Sequence, residues 1–237
     1  MERRLYDLAA ADPRVRFSPY CWRIRMALAH KGLDVETVPW RFVDKHEIAF
    51  AASQKVPVLV DGESVICDSM QIADYLEQRY PEPTLFGSPQ ARAHASFIRY
   101  WTETVVFPGI LKQILPELFA HLDDKDKAYF RSSREARMGM TLEAFSADRE
   151  SALPGFLKAL QPLRLSVADS AFLGGAAPNF ADYIVFGAFQ WARCGAGNPI
   201  VPDGDPIAAW FQRLLGLYDG LGAKAHVAGN DPCSVAS

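Results

Sequence analysis

The hydrophobic pattern changes period at "PEPTLFGSPQ", residues 81–90, where three prolines and a glycine fall within ten residues. Such a stretch reads as a linker. Before it, short β-rich runs alternate with helical ones. "RLYDLA" reads as a strand. Residues 19–31 read as a helix, with Cys21, Ile24 and Leu28 on one face and Gly32 as its C-terminal stop. "DVETVPW" is a second strand and "DKHEIAFAA" a short helix. Residues 57–60 and 64–67 form a hairpin around "DGE". "DSMQIADYLEQRY" is a helix with Ile72, Ala73, Leu76 and Tyr80 on one face, stopped by Pro81. Beyond the linker the pattern is helical, at residues 89–115, 126–150, 154–169, 180–193 and 205–221. The expectation is a βαβαββα unit over residues 1–82, a linker at 83–89 and an all-helical unit over 90–237. The tail from Ala225 onward has little to bury.

Composition narrows the function. Apolar residues make up 49% of the 237-residue chain and charged residues 22%, ordinary for a globular protein with a real core. A net charge of −3 gives no electrostatic reason to expect nucleic acid or an anionic membrane as partner. No apolar run reaches the roughly 18 residues of a membrane span. The first residues lack the apolar stretch of a signal peptide, so none is expected. Cys21, Cys67, Cys194 and Cys233 lie far apart, and neither they nor the five histidines have metal-site spacing, so no metal is expected. Sparse free cysteines suit a reducing cytoplasm.

Three short stretches carry candidate chemistry. In "FSPYCWR", Ser18 before Pro19 is a good N-cap for the helix that follows. The same geometry suits sulfur chemistry, because a helix N-terminus stabilises a thiolate and a serine hydroxyl can donate to it. Lowering a thiol pKa by about two units takes roughly 2.7 kcal/mol. One charge-assisted hydrogen bond plus a helix terminus is enough. Cys21 is either a small buried side chain or the remaining member of a C-x-x-C pair. In "KVPVLVDG", Pro57 opens a strand; a cis bond there would present the Val56 backbone to an extended ligand. In "ICDSM", Asp68 or Ser69 caps a helix, and the pair also suits the amino-acid end of a ligand, Ser69 meeting a carboxylate and Asp68 an ammonium group. Asn179 and Asp182 read as a capping box before a helix that is apolar on nearly all sides.

Taken together, these motifs resemble the glutathione S-transferase family along nearly the whole chain. Within that family "FSPYCWRIRMALAHKGL", "DSMQIADYLEQRYP" and "FLGGAAPNFADYIVFGAFQW" are most similar to the bacterial lignin β-etherase group and the related fungal serine-containing group. The resemblance implies a thioredoxin-like α/β domain followed by an all-α domain. It implies glutathione as co-substrate, a small apolar electrophile as second substrate, and a homodimer. Residue by residue, Ser18 matches the group that faces the glutathione sulfur. Val56, before a cis Pro57, matches the residue whose backbone pairs with the cysteinyl unit. Asp68 and Ser69 match the pair at the γ-glutamyl end, and Gln54 and Lys55 are candidates for the glycyl carboxylate. Tyr20, Trp22, Trp40, Trp101 and Phe107 are candidate acceptor-pocket aromatics, each of which also reads as packing. The chain lacks the family's N-terminal catalytic tyrosine, since Tyr6 lies too early. Serine also stands where the thiol-transferring classes carry the cysteine of C-P. Transfer of glutathione to an electrophile therefore competes with two other readings: a thiol reductase working through Cys21, and a glutathione- or partner-binding module without turnover.

Overall fold

The computed structural model describes residues 2–229; Met1 and the tail that holds Cys233 lie outside them. The N-terminal region runs β1 (Arg3–Leu8), α1 (Pro19–His30), β2 (Glu36–Trp40), a 3₁₀ turn (Lys45–Ala51), β3 (Val58–Asp61), β4 (Ser64–Cys67) and α2 (Ser69–Arg79). The four strands form one mixed sheet in the order β2-β1-β3-β4. β1 is parallel to β2, with Leu5 opposite Thr37, and antiparallel to β3, with Leu5 opposite Leu59. Leu5, Val58 and Leu59 are fully buried on this sheet. The β3–β4 hairpin closes through Gly62 at φ 60°, a conformation that costs glycine little.

The helical region comprises α3 (Pro89–Trp101), a π turn (Thr102–Val106), α4 (Phe107–Ala120), α5 (Asp124–Met138), α6 (Leu142–Ser146), α7 (Arg149–Ala159), α8 (Gln161–Asp169), α9 (Phe180–Ala196) and α10 (Pro206–Leu215). Three of the sequence boundaries need correction. The helix expected at 126–150 breaks after Met138, where Gly139 takes φ 70° and caps α5, and Thr141 then caps α6. The helix expected at 154–169 is two, because α7 starts early at Arg149 and Pro162 opens α8. The helix expected at 205–221 ends at Leu215; Tyr218 and Asp219 turn the chain away with φ of 52° and 56°.

α9 is the centre of the helical region. Its capping box forms: the Ala181 N–H donates to Asn179 and the Asn179 N–H to Asp182. Asp182 is buried, and it also accepts from the N–H groups of Leu173 and Gly174 and from the Trp210 indole, so it staples the preceding loop and α10 onto α9. α9 packs against α1, α3 and α4, which joins the helical region to the sheet through α1. No helix among the described residues is long and apolar enough to cross a membrane.

Candidate functional site

Ser18 sits at the N-cap of α1 in extended backbone, and its Oγ accepts from the Cys21 N–H at 3.2 Å. Capping uses the hydroxyl as an acceptor and leaves its proton to donate. Ser18 is only 4% exposed, so a group bonded to it is largely out of water. Cys21 is fully buried, and burial, reinforced by the Asp7 carboxylate, pushes its thiol well above the usual range. Cys194 is pushed up to about 12 by burial. Cys67 donates to the Ala51 carbonyl, and burial raises its thiol too.

The Val56–Pro57 peptide is cis and leads directly into β3. Val56 lies just outside the β ladder, and no hydrogen bond from another described residue reaches its main-chain N–H or carbonyl. Gln54 and Lys55 are exposed beside it; the Lys45 ammonium reaches Gln54 Oε1 at 3.5 Å.

Asp68 caps α2, its Oδ1 accepting from the N–H groups of Met70 and Gln71 at 2.8 and 3.2 Å. It does so at φ 70°, a left-handed conformation that is strained for a residue with a Cβ. Ser69 is buried and accepts from Arg23 Nη1 at 3.4 Å. That arginine, absent from the sequence-derived set, is fully buried. Its guanidinium lies over the Tyr20 ring at 4.7 Å and 3.7 Å from the Glu103 carboxylate, while Nε and Nη2 have no hydrogen-bond partner among the described residues. Burial lowers its pKa to about 10. Glu103 comes from the π turn and also accepts from Arg99 at 3.2 Å. The available signal for Arg23 was a charge inside the apolar run "CWRIRMALA"; Glu103 had none, because a π turn shifts the helical phase.

The proposed acceptor aromatics divide. Tyr20 and Phe107 pack edge to face at 5.3 Å, and Phe107 meets Trp191, a residue the sequence reading missed, at 5.9 Å. Trp101 packs partly buried against the hydrophobic core. Trp22 and Trp40 are corrections. Both are buried, with their indole N–H groups on the carbonyls of Arg16 and Asp44, and Trp22 packs against Phe186 inside the core. Neither has a face left for a ligand. Two cavities, of about 420 and 350 Å³, lie away from Ser18, Val56 and Asp68. No group of side chains among the described residues is arranged to hold a metal.

A capped Ser18, a cis Val56–Pro57 step and a strained Asp68 before Ser69 thus stand on a thioredoxin-like sheet beside a helical domain. Residues 93–214 match the family model "Glutathione S-transferase, C-terminal domain", and residues 13–84 match "Glutathione S-transferase, N-terminal domain". The chain belongs to the glutathione S-transferase family. Glutathione S-transferase Z2 of Arabidopsis thaliana is 38% identical over 111 residues, 45% of this chain and 48% of that protein, so this match spans about half of that relative's length. Glutathione S-transferase U22 of the same plant is 24% identical over 84% of this chain and 82% of that protein. Glutathione transferase GSTFuA3 from Phanerochaete chrysosporium has a TM-score of 0.72 at 26% identity, with 94% of each chain covered. The glutathione S-transferase CsGST63524 of Ceriporiopsis subvermispora, solved in complex with glutathione, shares the fold with a TM-score of 0.78 at 22% identity, over 92% of this chain and 97% of that one.

Proposed function

We propose that this chain transfers glutathione to an electrophilic carbon of an apolar aromatic substrate. Glutathione lies extended along the free backbone of Val56, its γ-glutamyl end at Asp68 and Ser69, with Gln54 and Lys55 at the glycyl carboxylate. Ser18 holds the thiolate. The observation that carries this reading is the state of Ser18. Its oxygen is occupied by the Cys21 N–H, its proton is left to give, and it stands at the positive end of a twelve-residue helix. The thiolate attacks carbon, the leaving group departs with the bonding electrons, and positioning and electrostatics supply the acceleration. Tyr20, Phe107 and Trp101, with Trp191, are the aromatics proposed to hold the electrophile. The similarity of "FSPYCWRIRMALAHKGL" to the β-etherase group makes a β-aryl ether, with a phenol as leaving group, the first substrate to assay.

The reductase reading requires a reactive Cys21. A fully buried thiol held above its usual range by burial and Asp7 is unsuited to nucleophilic attack. Retention on immobilised glutathione, followed by turnover of β-aryl ethers beside general electrophiles such as aryl halides, tests the proposal. Retention without turnover of any electrophile would favour a binding module, and absence of retention would end every glutathione reading. Size-exclusion chromatography tests the homodimer that the family resemblance implies.

A further inference from the structure

Away from these residues, a cavity of about 420 Å³ opens between the N-terminal loop, α1, β2 and the segment after α10. Its lining holds Arg14, Arg16, Arg25, Lys224 and His226, against one acidic side chain, Asp219. The charges are unevenly matched. Arg14 is paired bidentately with Asp12. Arg25 lies 3.5 Å from Asp7, whose carboxylate is fully buried. Arg16 has no carboxylate partner among the described residues: its guanidinium donates only to main-chain carbonyls, those of Pro13 at 2.6 Å, Asp7 at 3.3 Å and Thr37 at 3.4 Å. These bonds fix the direction of the fork without neutralising it. Burial works against the charge on Arg16; Asp7 supports it and neighbouring Arg25 adds repulsion. The Lys224 side chain makes no ion pair or hydrogen bond with any described residue, and it is exposed at the rim. Tyr218 and Asp219, both in left-handed backbone, turn the chain so that Lys224 to His226 come back along the cavity.

We propose that this cavity binds a small phosphomonoester, its phosphate dianion held between Arg16, Arg25, Lys224 and His226. Several basic side chains from separate chain segments around one cavity favour a doubly charged anion over a singly charged carboxylate. The cavity is within the size range of small-ligand sites, which leaves space for an organic body against Leu221 and Ala225.

The test is isothermal titration of the full chain in a chloride-containing, phosphate-free buffer with inorganic phosphate, phenyl phosphate and benzoate. Saturable one-site binding of phenyl phosphate, tighter than inorganic phosphate and much tighter than benzoate, is expected. Lys224→Glu and His226→Glu, at the rim, should each weaken it by about tenfold while leaving the thermal midpoint and glutathione retention unchanged. A saturating amount of glutathione should leave the binding intact, so this result stands or falls apart from the glutathione assignment. The proposal is overturned if neither phosphate binds, if benzoate binds as well as phenyl phosphate, if both rim variants bind normally, or if glutathione displaces the anion.

Discussion

Gly187 of α9 and Pro19 of α1 approach so closely that a Cβ on Gly187 would lie 2.3 Å from the Pro19 carbonyl oxygen. The obstacle is backbone, which cannot swing aside as a side chain can. Pro19 follows Ser18, so the central helix of the second domain braces the N-terminus on which the proposed chemistry depends. Gly187→Ala is therefore expected to displace the start of α1. Overpacking of this kind costs about 1–3 kcal/mol. Urea denaturation should show that loss, and kcat/KM for glutathione transfer should fall further than the same loss produced by a substitution in α7 or α8.

Ser18→Ala removes two things at once. Loss of the cap costs about 0.5–2 kcal/mol of stability. Loss of the proposed donor should raise the pKa of bound glutathione by about one to two units, the equivalent of one hydrogen bond to a charged group. The pH profile of turnover should shift upward by that amount, with near-normal rates recovered at high pH. Ser18→Thr keeps both the cap and the donor, and should preserve the profile. A thiol titration that stays unchanged in Ser18→Ala would remove Ser18 from the mechanism.

Cys21→Ala separates the transferase from the reductase reading. The thiol fills a buried site on α1 and is held protonated, so its removal leaves a small void and little else. Stability should drop by about 1 kcal/mol, and turnover should stay within about threefold of the parent. In the native protein the thiol should resist alkylation that proceeds readily after unfolding.

Arg23 allows stability and function to be told apart. A fully buried guanidinium with two unpartnered nitrogens is costly to fold around, while Glu103 keeps Arg99 as a second partner. In Arg23→Met the unfolding midpoint should stay level or rise. If the guanidinium supports Ser69 at the γ-glutamyl end, KM for glutathione should rise by about tenfold or more with a smaller change in kcat. Arg23→Lys should not restore KM, because an ammonium group lacks the planar fork. An unaltered KM in both variants would assign Arg23 a purely structural place.

The order βαβαββα was legible because each element carries its own punctuation: Ser18-Pro19 and Gly32 around α1, "DGE" between β3 and β4, and Asp68 and Pro81 around α2. Strand ends fall within two residues of the sequence reading. The helical region was harder to divide, because Gly139 and Leu160 interrupt apolar patterns that continue on either side of them. In the candidate site, Ser18, Val56 and Asp68 stood out through local rules of capping and proline geometry. Trp191 did not, because only packing brings it to Phe107, and Arg23 showed only as a charge inside an apolar run, which does not say that it reaches Ser69. Trp22 and Trp40 misled for the complementary reason: an aromatic near a cleft in sequence looks the same whether it faces the cleft or the core.

His30 predicts how the two domains respond to acid. It lies at the end of α1, with Nδ1 2.6 Å from the Tyr183 hydroxyl on α9 and 3.2 Å from that of Tyr218. Burial lowers its pKa, only partly opposed by a bond involving the Thr84 backbone. A histidine with a depressed folded-state pKa takes up protons more readily when unfolded. Its contribution to stability is thus fully present above the unfolded value of about 6.5 and is lost as pH falls through the folded value. Urea midpoints measured from pH 7 downward should therefore decline more steeply for the parent than for His30→Gln, which cannot titrate. Because Tyr218 also lines the basic cavity, the same acidification should loosen the segment that carries Lys224, seen as lower amide protection factors across residues 217–226 in the parent and not in the variant, once the intrinsic slowing of exchange in acid is divided out. Parallel pH curves for the two proteins would show that His30 stays neutral, or stays paired, throughout the range.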